Sequence, residues 1–416
     1  MPIKVNRIFK VLSFTAMMTF ARMICGFVIT KVVAVYTGPN GVALIGQYQS
    51  FITMANGVIN SPVSTGIIRY TSENSEKDDF YISQWWRAGF YWSTCIYVIF
   101  CPLGLLYSRE LSELILGDSL YYKLFCTTLL LLPISSFGTL INSIVNGKQL
   151  YRHYVLVGIT SVIFSTIVML TMLVKFKLDG ALYAAAAQSA LVGLVVLVMN
   201  IKFSWLRISY FIGNVSNQKK REIFNYLLMA LTSAIVAPLS LIMVRNIIAA
   251  NTSWSEVGEW QAVWKVSEVY LSVITLTLST YYLPKLSSIK DNDLIKKEIF
   301  NTIKYLVPIL TVISIAVYVT RDIIITVLYT KEFYNARELF LFQLIGSILK
   351  VISWLIAFPM ITKGRTKIYI CSEIFFTSSL VFLTYIFVNH FGIVGANMAY
   401  ALNFLIYFIF VSSMLN

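Results

Sequence analysis

Seven ionisable side chains lie in stretches otherwise apolar enough to sit in lipid: the cations Arg22, Lys31, Arg245, Lys265 and Lys350, and the acids Glu268 and Glu373. A charge at bilayer depth costs around 2.5–3.5 kcal/mol on insertion scales, so it faces a cavity or a partner. Five cations against two acids make a chamber that attracts anions. Uncharged polar residues recur beside them at helical spacing. Gln49, Thr53, Asn56 and Asn60 follow i, i+4, i+7, i+11, and Gln261, Lys265, Glu268 and Ser272 repeat that pattern. Ser135, Thr139, Asn142 and Asn146 form a third stripe, and Gln343, Ser347, Lys350 and Trp354 a fourth. Each falls on one helix face. Lipid cannot satisfy these groups, so the stripes are expected to line one wet interior. A dicarboxylate, a nucleotide or a diphosphate fits the sign of the charge. The amides and hydroxyls ask for a hydrogen-bonding body attached to the anion, and a sugar joined to a diphosphate meets both demands. Trp260, Trp264 and Trp354, on or beside the stripes, offer faces on which a sugar ring would stack.

A plainer role is open to each of these residues. Asn, Gln, Ser and Thr also join membrane helices by hydrogen bonds. Lys265 and Glu268, at i and i+3, make a helix-surface pair. Lys31 and Arg245, nearer the outer ends of their spans, can snorkel to headgroups, and Glu373 can pair with a cation in its own half. Arg22 and Lys350 are too deep for easy snorkelling.

Helices across a bilayer must position these groups. Of 416 residues, 58% are hydrophobic and 12% charged, with mean hydropathy +0.75. Surface-to-volume scaling prevents soluble domains from hiding that much apolar side chain, so lipid is the solvent. Disordered chains, disulfide scaffolds and nucleic-acid binders are excluded. The net charge of +14 lies in Lys/Arg clusters between apolar runs, a topology signal. The five cysteines and two histidines show no disulfide framework and no metal-ligand spacing, and no cofactor or metal is expected. No cleavable signal peptide is apparent at the start. Twelve runs reach spanning length: 8–36, 42–70, 83–107, 119–146, 152–174, 180–202, 222–250, 257–284, 294–320, 334–362, 366–389 and 392–414. The stretches near 108–118, 203–221 and 321–333 are too short for an extramembrane catalytic domain, so the chain is not expected to be an enzyme. Trp85-Trp86, Tyr121-Tyr122 and Tyr281-Tyr282 fall at span ends, where aromatic residues form an interfacial belt. Seven prolines (Pro62, Pro102, Pro133, Pro238, Pro284, Pro308 and Pro359) lie within or at the ends of spans, where each can kink a helix.

With both termini in the cytoplasm, the inside segments carry about 18 Lys/Arg and the outside segments about 7, as the positive-inside rule requires. The sequence also repeats. At an offset of 215, Ile8-Phe9 matches Ile223-Phe224; Lys148, Arg152 and Tyr154 match Lys363, Lys367 and Tyr369; and Gly180-Ala181-x-x-Ala184 matches Gly395-Ala396-x-x-Ala399. At 212, Gly46-Gln47-Tyr48-Gln49 matches Gly258-Glu259-Trp260-Gln261. Six crossings return the chain to its starting side, so the two halves share one orientation. That predicts an all-α membrane protein of twelve helices in two six-helix lobes, 1–210 and 211–416, related by a parallel pseudo-twofold with a central site.

The run Ser253-Trp254-Ser255-Glu256-Val257-Gly258-Glu259-Trp260-Gln261, with Arg321-Asp322, Phe340-x-x-Gln343-Leu344-x-Gly346-x-x-Leu349-Lys350 and the Thr37-Gly38-Pro39-x-Gly41 turn, resembles the Wzx-type polysaccharide flippases. These belong to the multidrug/oligosaccharidyl-lipid/polysaccharide (MOP) exporter superfamily. The likeness spans nearly the whole chain, though no single motif is a strict fingerprint. It implies a V-shaped fold that turns an undecaprenyl-diphosphate-linked oligosaccharide, an O-antigen repeat unit or lipid III, from the cytoplasmic to the periplasmic leaflet of a bacterial inner membrane. On that reading Arg22, Lys265 and Lys350 pair with the diphosphate, while Lys31 and Arg245 attract it outward. Gln49, Asn56 and Gln261 bond the glycan beside Trp264, and a proton or sodium gradient acts at Glu268 or Glu373. A polysaccharide polymerase and its chain-length machinery are the partners implied. A multidrug antiporter of the same superfamily would want acids in its cavity, and an O-antigen polymerase would want a large arginine-bearing periplasmic loop. Neither is present.

Overall fold

Backbone N–H and C=O groups cannot stay unpaired in hydrocarbon, and a helix satisfies them within its own segment. A computed structural model describes residues 5–278, 282, 285–286, 289, 291–362 and 366–414. Tyr281, Pro284 and Lys363 lie outside the described residues, as do Lys4, Lys290 and Arg365, which belong to the count of inside cations. Every regular element among the described residues is helical. The long helices are α1 (Val5–Asn60), α3 (Asp79–Leu106), α5 (Tyr122–Gly147), α6 (Tyr151–Asn200), α7 (Asn217–Asn251), α8 (Trp254–Thr277), α9 (Asn292–Val319), α11 (Phe340–Thr362) and α12 (Thr366–Ser413). Shorter helices, α2 (Thr65–Glu73), α4 (Ser108–Leu116) and α10 (Arg321–Leu328), fill the connections.

Eight helical stretches are long and apolar enough to cross a membrane. Three of them, Ala16–Glu73, Tyr151–Asn200 and Lys367–Ser413, run to 58, 50 and 47 residues, more than twice what one crossing needs. Within them the helices α1, α6 and α12 each hold one residue out of helical conformation: Gly38 (φ 61°, ψ −167°), Lys177 (φ 50°, ψ −130°) and Gly392 (φ 58°, ψ −147°). The breaks divide each long helix into two spans. The polar stripe of α8 keeps it out of the eight, yet its 24 residues suffice to cross. With α8 and the three divided helices, the chain has the twelve spans the hydropathy predicts.

Local chemistry fixes the ends. Asp78 caps α3 by accepting from the Tyr81 amide, and Ser253 caps α8 by accepting from Glu256. Gly117, at φ 73°, closes α4.

The chain forms two compact units, Met1–Tyr36 with Gln47–Pro238, and Thr37–Gly46 with Leu239–Asn416. In the first, Trp86 and Phe211 stack 6.2 Å apart, and Trp86 meets Trp205 edge-on. Trp85 and Trp86 are buried in this core, and their indole N–H groups donate to Glu222 and Thr71. In the second, Tyr282 is buried and donates to the Leu355 carbonyl. The interfacial-belt expectation is therefore corrected at Trp85, Trp86 and Tyr282: a ring with an internal hydrogen-bond partner packs inside the protein rather than against headgroups.

The repeat recurs in the backbone. Lys177 and Gly392 are 215 residues apart and break their helices in the same way. Three residues on, a Cβ at Gly180 would overlap the Met172 carbonyl, and one at Gly395 the Phe387 carbonyl. Both pairs again differ by 215, so each unit turns the same corner with the same small residue.

Candidate functional site

In the second unit the stripe of α8 faces those of α11 and α12. Lys350 projects from α11 into four aromatic rings, its Nζ lying 4.9 Å from the centroid of Trp354, 5.4 Å from Phe404, 5.7 Å from Trp264 and 5.8 Å from Tyr400. The rings stabilise the ammonium through their quadrupoles, without neutralising it as a carboxylate would. Trp264 is locked in turn. It stacks on Trp260 at 5.0 Å, meets Tyr400 edge-on at 5.3 Å, and its Nε1 donates to Glu268 Oε1 at 3.1 Å. The other oxygen of Glu268 takes Lys265 Nζ at 3.3 Å, and both side chains of that pair stand well exposed. The helix-surface pairing of Lys265 with Glu268 is thus present, one turn from the cage.

Arg245, from α7, is 2% exposed. Its Nε and Nη2 both donate to Gln261 Oε1, at 3.0 and 2.8 Å, and its guanidinium lies 5.6 Å from the Trp260 ring. The guanidinium is enclosed in protein, not placed at a headgroup surface, and Gln261 is occupied in holding it. Trp260 is also buried, and its Nε1 has no partner among the described residues. Below the cage, Asn397 Nδ2 donates to Gln343 Oε1 at 2.9 Å.

In the first unit two stripes meet around a cavity of about 360 Å³. The second half of α1 supplies Asn56 and Asn60, α5 supplies Ser135, Thr139 and Asn142, and the second half of α6 supplies Gln188 and Ser189. Ser135 Oγ donates to Asn56 Oδ1 at 2.7 Å, and Asn56 Nδ2 to the Ile52 carbonyl at 2.9 Å. The buried Oδ1 of Asn60 has no partner among the described residues. The α5–α6 crossing beside the cavity is as close as glycine permits, since a Cβ on Gly138 would overlap Gly193 Cα. The hydroxyls of Thr53, Thr139 and Ser347 donate to their own helix one turn back, the local bonding such residues favour in apolar surroundings.

The cavity and the cage occupy equivalent places in the repeat. Trp264 and Glu268 stand 212 residues after Ile52 and Asn56, while Lys350, Trp354 and Phe404 stand 215 after Ser135, Thr139 and Ser189. Where the first unit pairs Ser135 with Asn56, the second places a caged ammonium.

The remaining expected residues are more dispersed. Gln49 and Lys31 are half-buried in α1, and Glu373 is half-buried in α12. Arg22 is exposed. At about 100° per residue it lies on the side of α1 away from the exposed apolar stripe of Met17, Phe20, Ile24 and Val28. Sequence reasoning missed Gln188, Tyr400 and Phe404. The signal for the last two was present, since Asn397, Tyr400 and Asn403 recur every third residue beside Phe404.

Residues 38–338 match a family model described as polysaccharide biosynthesis protein. The lipid III flippase of Escherichia coli (strain K12) is 28% identical over 403 residues, covering 95% of this chain and 94% of that protein. Among solved structures, an inward-facing multidrug resistance MATE family transporter of the MOP superfamily aligns with TM-score 0.76 at 12% identity, over 95% of this chain and 94% of its own. The lipid II flippase MurJ, in an inward closed conformation, aligns with TM-score 0.72 at 14% identity, over 97% and 87%. The chain shares the fold of these transporters.

Proposed function

The chain belongs to the polysaccharide biosynthesis protein family, and from that membership we propose that it is a flippase, carrying an undecaprenyl-diphosphate-linked oligosaccharide from the cytoplasmic to the periplasmic leaflet of a bacterial inner membrane. The passenger is an O-antigen repeat unit or lipid III. The single observation that carries this reading is Lys350, a cation held among four rings. It offers fixed positive charge to a diphosphate, and the rings offer faces to the first sugar.

Two repeat halves, 1–210 and 211–416, rock so that the site opens to each side in turn, both termini staying in the cytoplasm. Lys350, Lys265 and exposed Arg22 bind the diphosphate, drawn in by Lys31. Gln49 and Asn56 bond the glycan. Arg245 and Gln261 fix α7 to α8 behind the stacked tryptophans, so that Trp264 keeps its place. The prenyl tail stays in lipid. Glu268 holds Lys265 in the empty carrier. A proton or sodium ion taken there, or at Glu373, releases the lysine for the diphosphate and couples the cycle to a gradient. A polymerase and its chain-length machinery take the glycan on the far side.

In vesicles containing the purified protein, the head group of an undecaprenyl-diphosphate trisaccharide becomes accessible to an external glycosidase at a rate set by flipping. Wild-type protein raises that rate and Lys350→Ala lowers the protein-dependent part by roughly 10–100-fold; a wild-type rate no higher than empty vesicles overturns the proposal. The likeness in fold to a multidrug transporter raises an antiporter as a second reading. A caged cation repels cationic drugs, and drug efflux from cells producing the protein decides between the two.

A further inference from the structure

The cavity of the first unit carries no charge. Its polar lining is amides and hydroxyls, notably Asn56, Asn60, Thr139, Asn142 and Gln188, and Ile52, Val192 and Val196 supply an apolar wall. That division matches a pyranose ring, which has hydroxyls around its edge and C–H groups on its faces. About 360 Å³ lies at the small end of ligand pockets and admits one ring rather than a chain. Asn60 stands in the lining, and its buried Oδ1 has no partner among the described residues. Ser135 holds the Asn56 carbonyl oxygen, while the Asn56 amide nitrogen bonds to Ile52, so the wall is set before any ligand arrives.

The repeat sharpens the contrast. At the equivalent positions of the second unit stand Lys350, Glu268, Trp264 and Trp354. Of the two repeat-equivalent places, one is ionic and aromatic and the other neutral and amide-lined. We infer that the first-unit cavity is a subsite for a single uncharged sugar ring of the carried glycan. This inference rests on the flippase reading. A carboxylate in this cavity would find no cation in the lining, and must stay hydrated or take a proton. The subsite therefore discriminates against uronic acids at the ring it holds, whatever charge the rest of the glycan bears.

The test uses full-length protein and free methyl glycosides: a neutral hexoside, a neutral N-acetylhexosaminide and a hexuronide. Binding is followed by saturation-transfer NMR at millimolar ligand. At least one neutral glycoside binds, and the hexuronide binds about tenfold or more weakly. Asn142→Leu with Gln188→Met removes the neutral binding at nearly constant volume. Thr139→Val, which removes one hydroxyl and keeps the shape, serves if that pair fails to fold. Equal binding of hexuronide and neutral glycosides overturns the inference. So does wild-type affinity in the folded variants, or no binding by any neutral glycoside. Flipping of the undecaprenyl-diphosphate trisaccharide is measured on the same preparation. Flipping by wild type with these binding results negative sinks the subsite alone, whereas absence of flipping sinks the flippase reading.

Discussion

Lys177 and Gly392 take nearly the same conformation, φ 50°, ψ −130° and φ 58°, ψ −147°, in two helices that are otherwise continuous. Glycine reaches that region freely, whereas lysine is strained there. The two positions are equivalent in the repeat, so the corner is required by the architecture and only one half has the suitable residue. Lys177→Gly is expected to raise thermal stability by about 1 kcal/mol and Gly392→Ala to lower it by about 1–3 kcal/mol. Thermal unfolding of the detergent-solubilised protein reads both. A Cβ at Gly392 meets nothing within 4 Å, so any loss there is conformational rather than steric. A neutral Gly392→Ala would show that the corner relaxes.

The cage predicts an order among substitutions at Lys350. Lys350→Ala removes charge and stem together. Lys350→Met keeps a stem among the rings and removes only the charge. Both should reduce flipping by roughly 10–100-fold, the value of one charge-assisted contact of about 1.5–3 kcal/mol. Lys350→Arg keeps the charge but places a broad planar fork where a compact ammonium sits, and should retain intermediate activity. If Lys350→Met flips at the wild-type rate, the ammonium has no part in binding the diphosphate.

Gln261 Oε1 accepts two hydrogen bonds from a guanidinium that is 2% exposed. Gln261→Leu leaves those donors without the oxygen they use, and should cost about 1–3 kcal/mol. Replacing both partners, as Arg245→Met with Gln261→Leu, leaves no buried charge there and should restore part of that loss, because an apolar pair of similar shape is cheaper than a half-made polar one. Unfolding midpoints of the two singles and the double measure the coupling. A double variant less stable than Gln261→Leu alone would mean that Arg245 contributes through other contacts.

The spans were legible in the sequence because lipid imposes a coarse rule, about twenty apolar residues per crossing. The gaps around Gly38, Lys177 and Gly392 showed as interruptions in hydropathy, although each proved to be one residue wide inside an unbroken run of helix. The stripes of α1 and α5 were legible because Asn and Ser recurring on one face conflict with lipid, and the structure brings them to one cavity. Gln188 escaped notice because it stands alone in an alanine-rich stretch. Tyr400 and Phe404 escaped because an aromatic residue in a membrane helix is ordinary, and only the approach of α12 to Lys350 gives them a function. Trp85 and Trp86 were misplaced for a related reason: a tryptophan at a span end looks the same whether its N–H meets a headgroup or Glu222.

Close backbone approach sets a further expectation. Gly138 faces Gly193 so tightly that a methyl on the first would overlap the Cα of the second, and no side-chain rotation relieves a clash with backbone. Gly138→Ala must part α5 from α6 beside the cavity. It should cost about 1–3 kcal/mol, as overpacking does, and weaken neutral-glycoside binding even where the protein still folds. Size-exclusion profile and glycoside binding on one preparation check both effects. Unchanged stability would show that the crossing has slack.

Glu268 is the point at which an ion gradient can act on the cage. Its oxygens join Trp264 Nε1 and Lys265 Nζ, so the carboxylate ties a ring of the cage to an exposed cation. Glu268→Gln keeps an oxygen for the indole and removes the charge that holds Lys265. Flipping down a concentration gradient of lipid should persist. Acceleration by an imposed proton or sodium gradient should disappear, because the lysine is then free in every state. Glu373→Gln, on α12, serves as the comparison. Vesicles with a gradient set by internal and external buffers give the ratio of driven to undriven rates for each variant. A ratio that stays at the wild-type value in Glu268→Gln but collapses in Glu373→Gln moves the coupling site to α12. If the ratio is one in wild-type protein, no gradient drives this carrier, and Glu268 serves only to position Trp264.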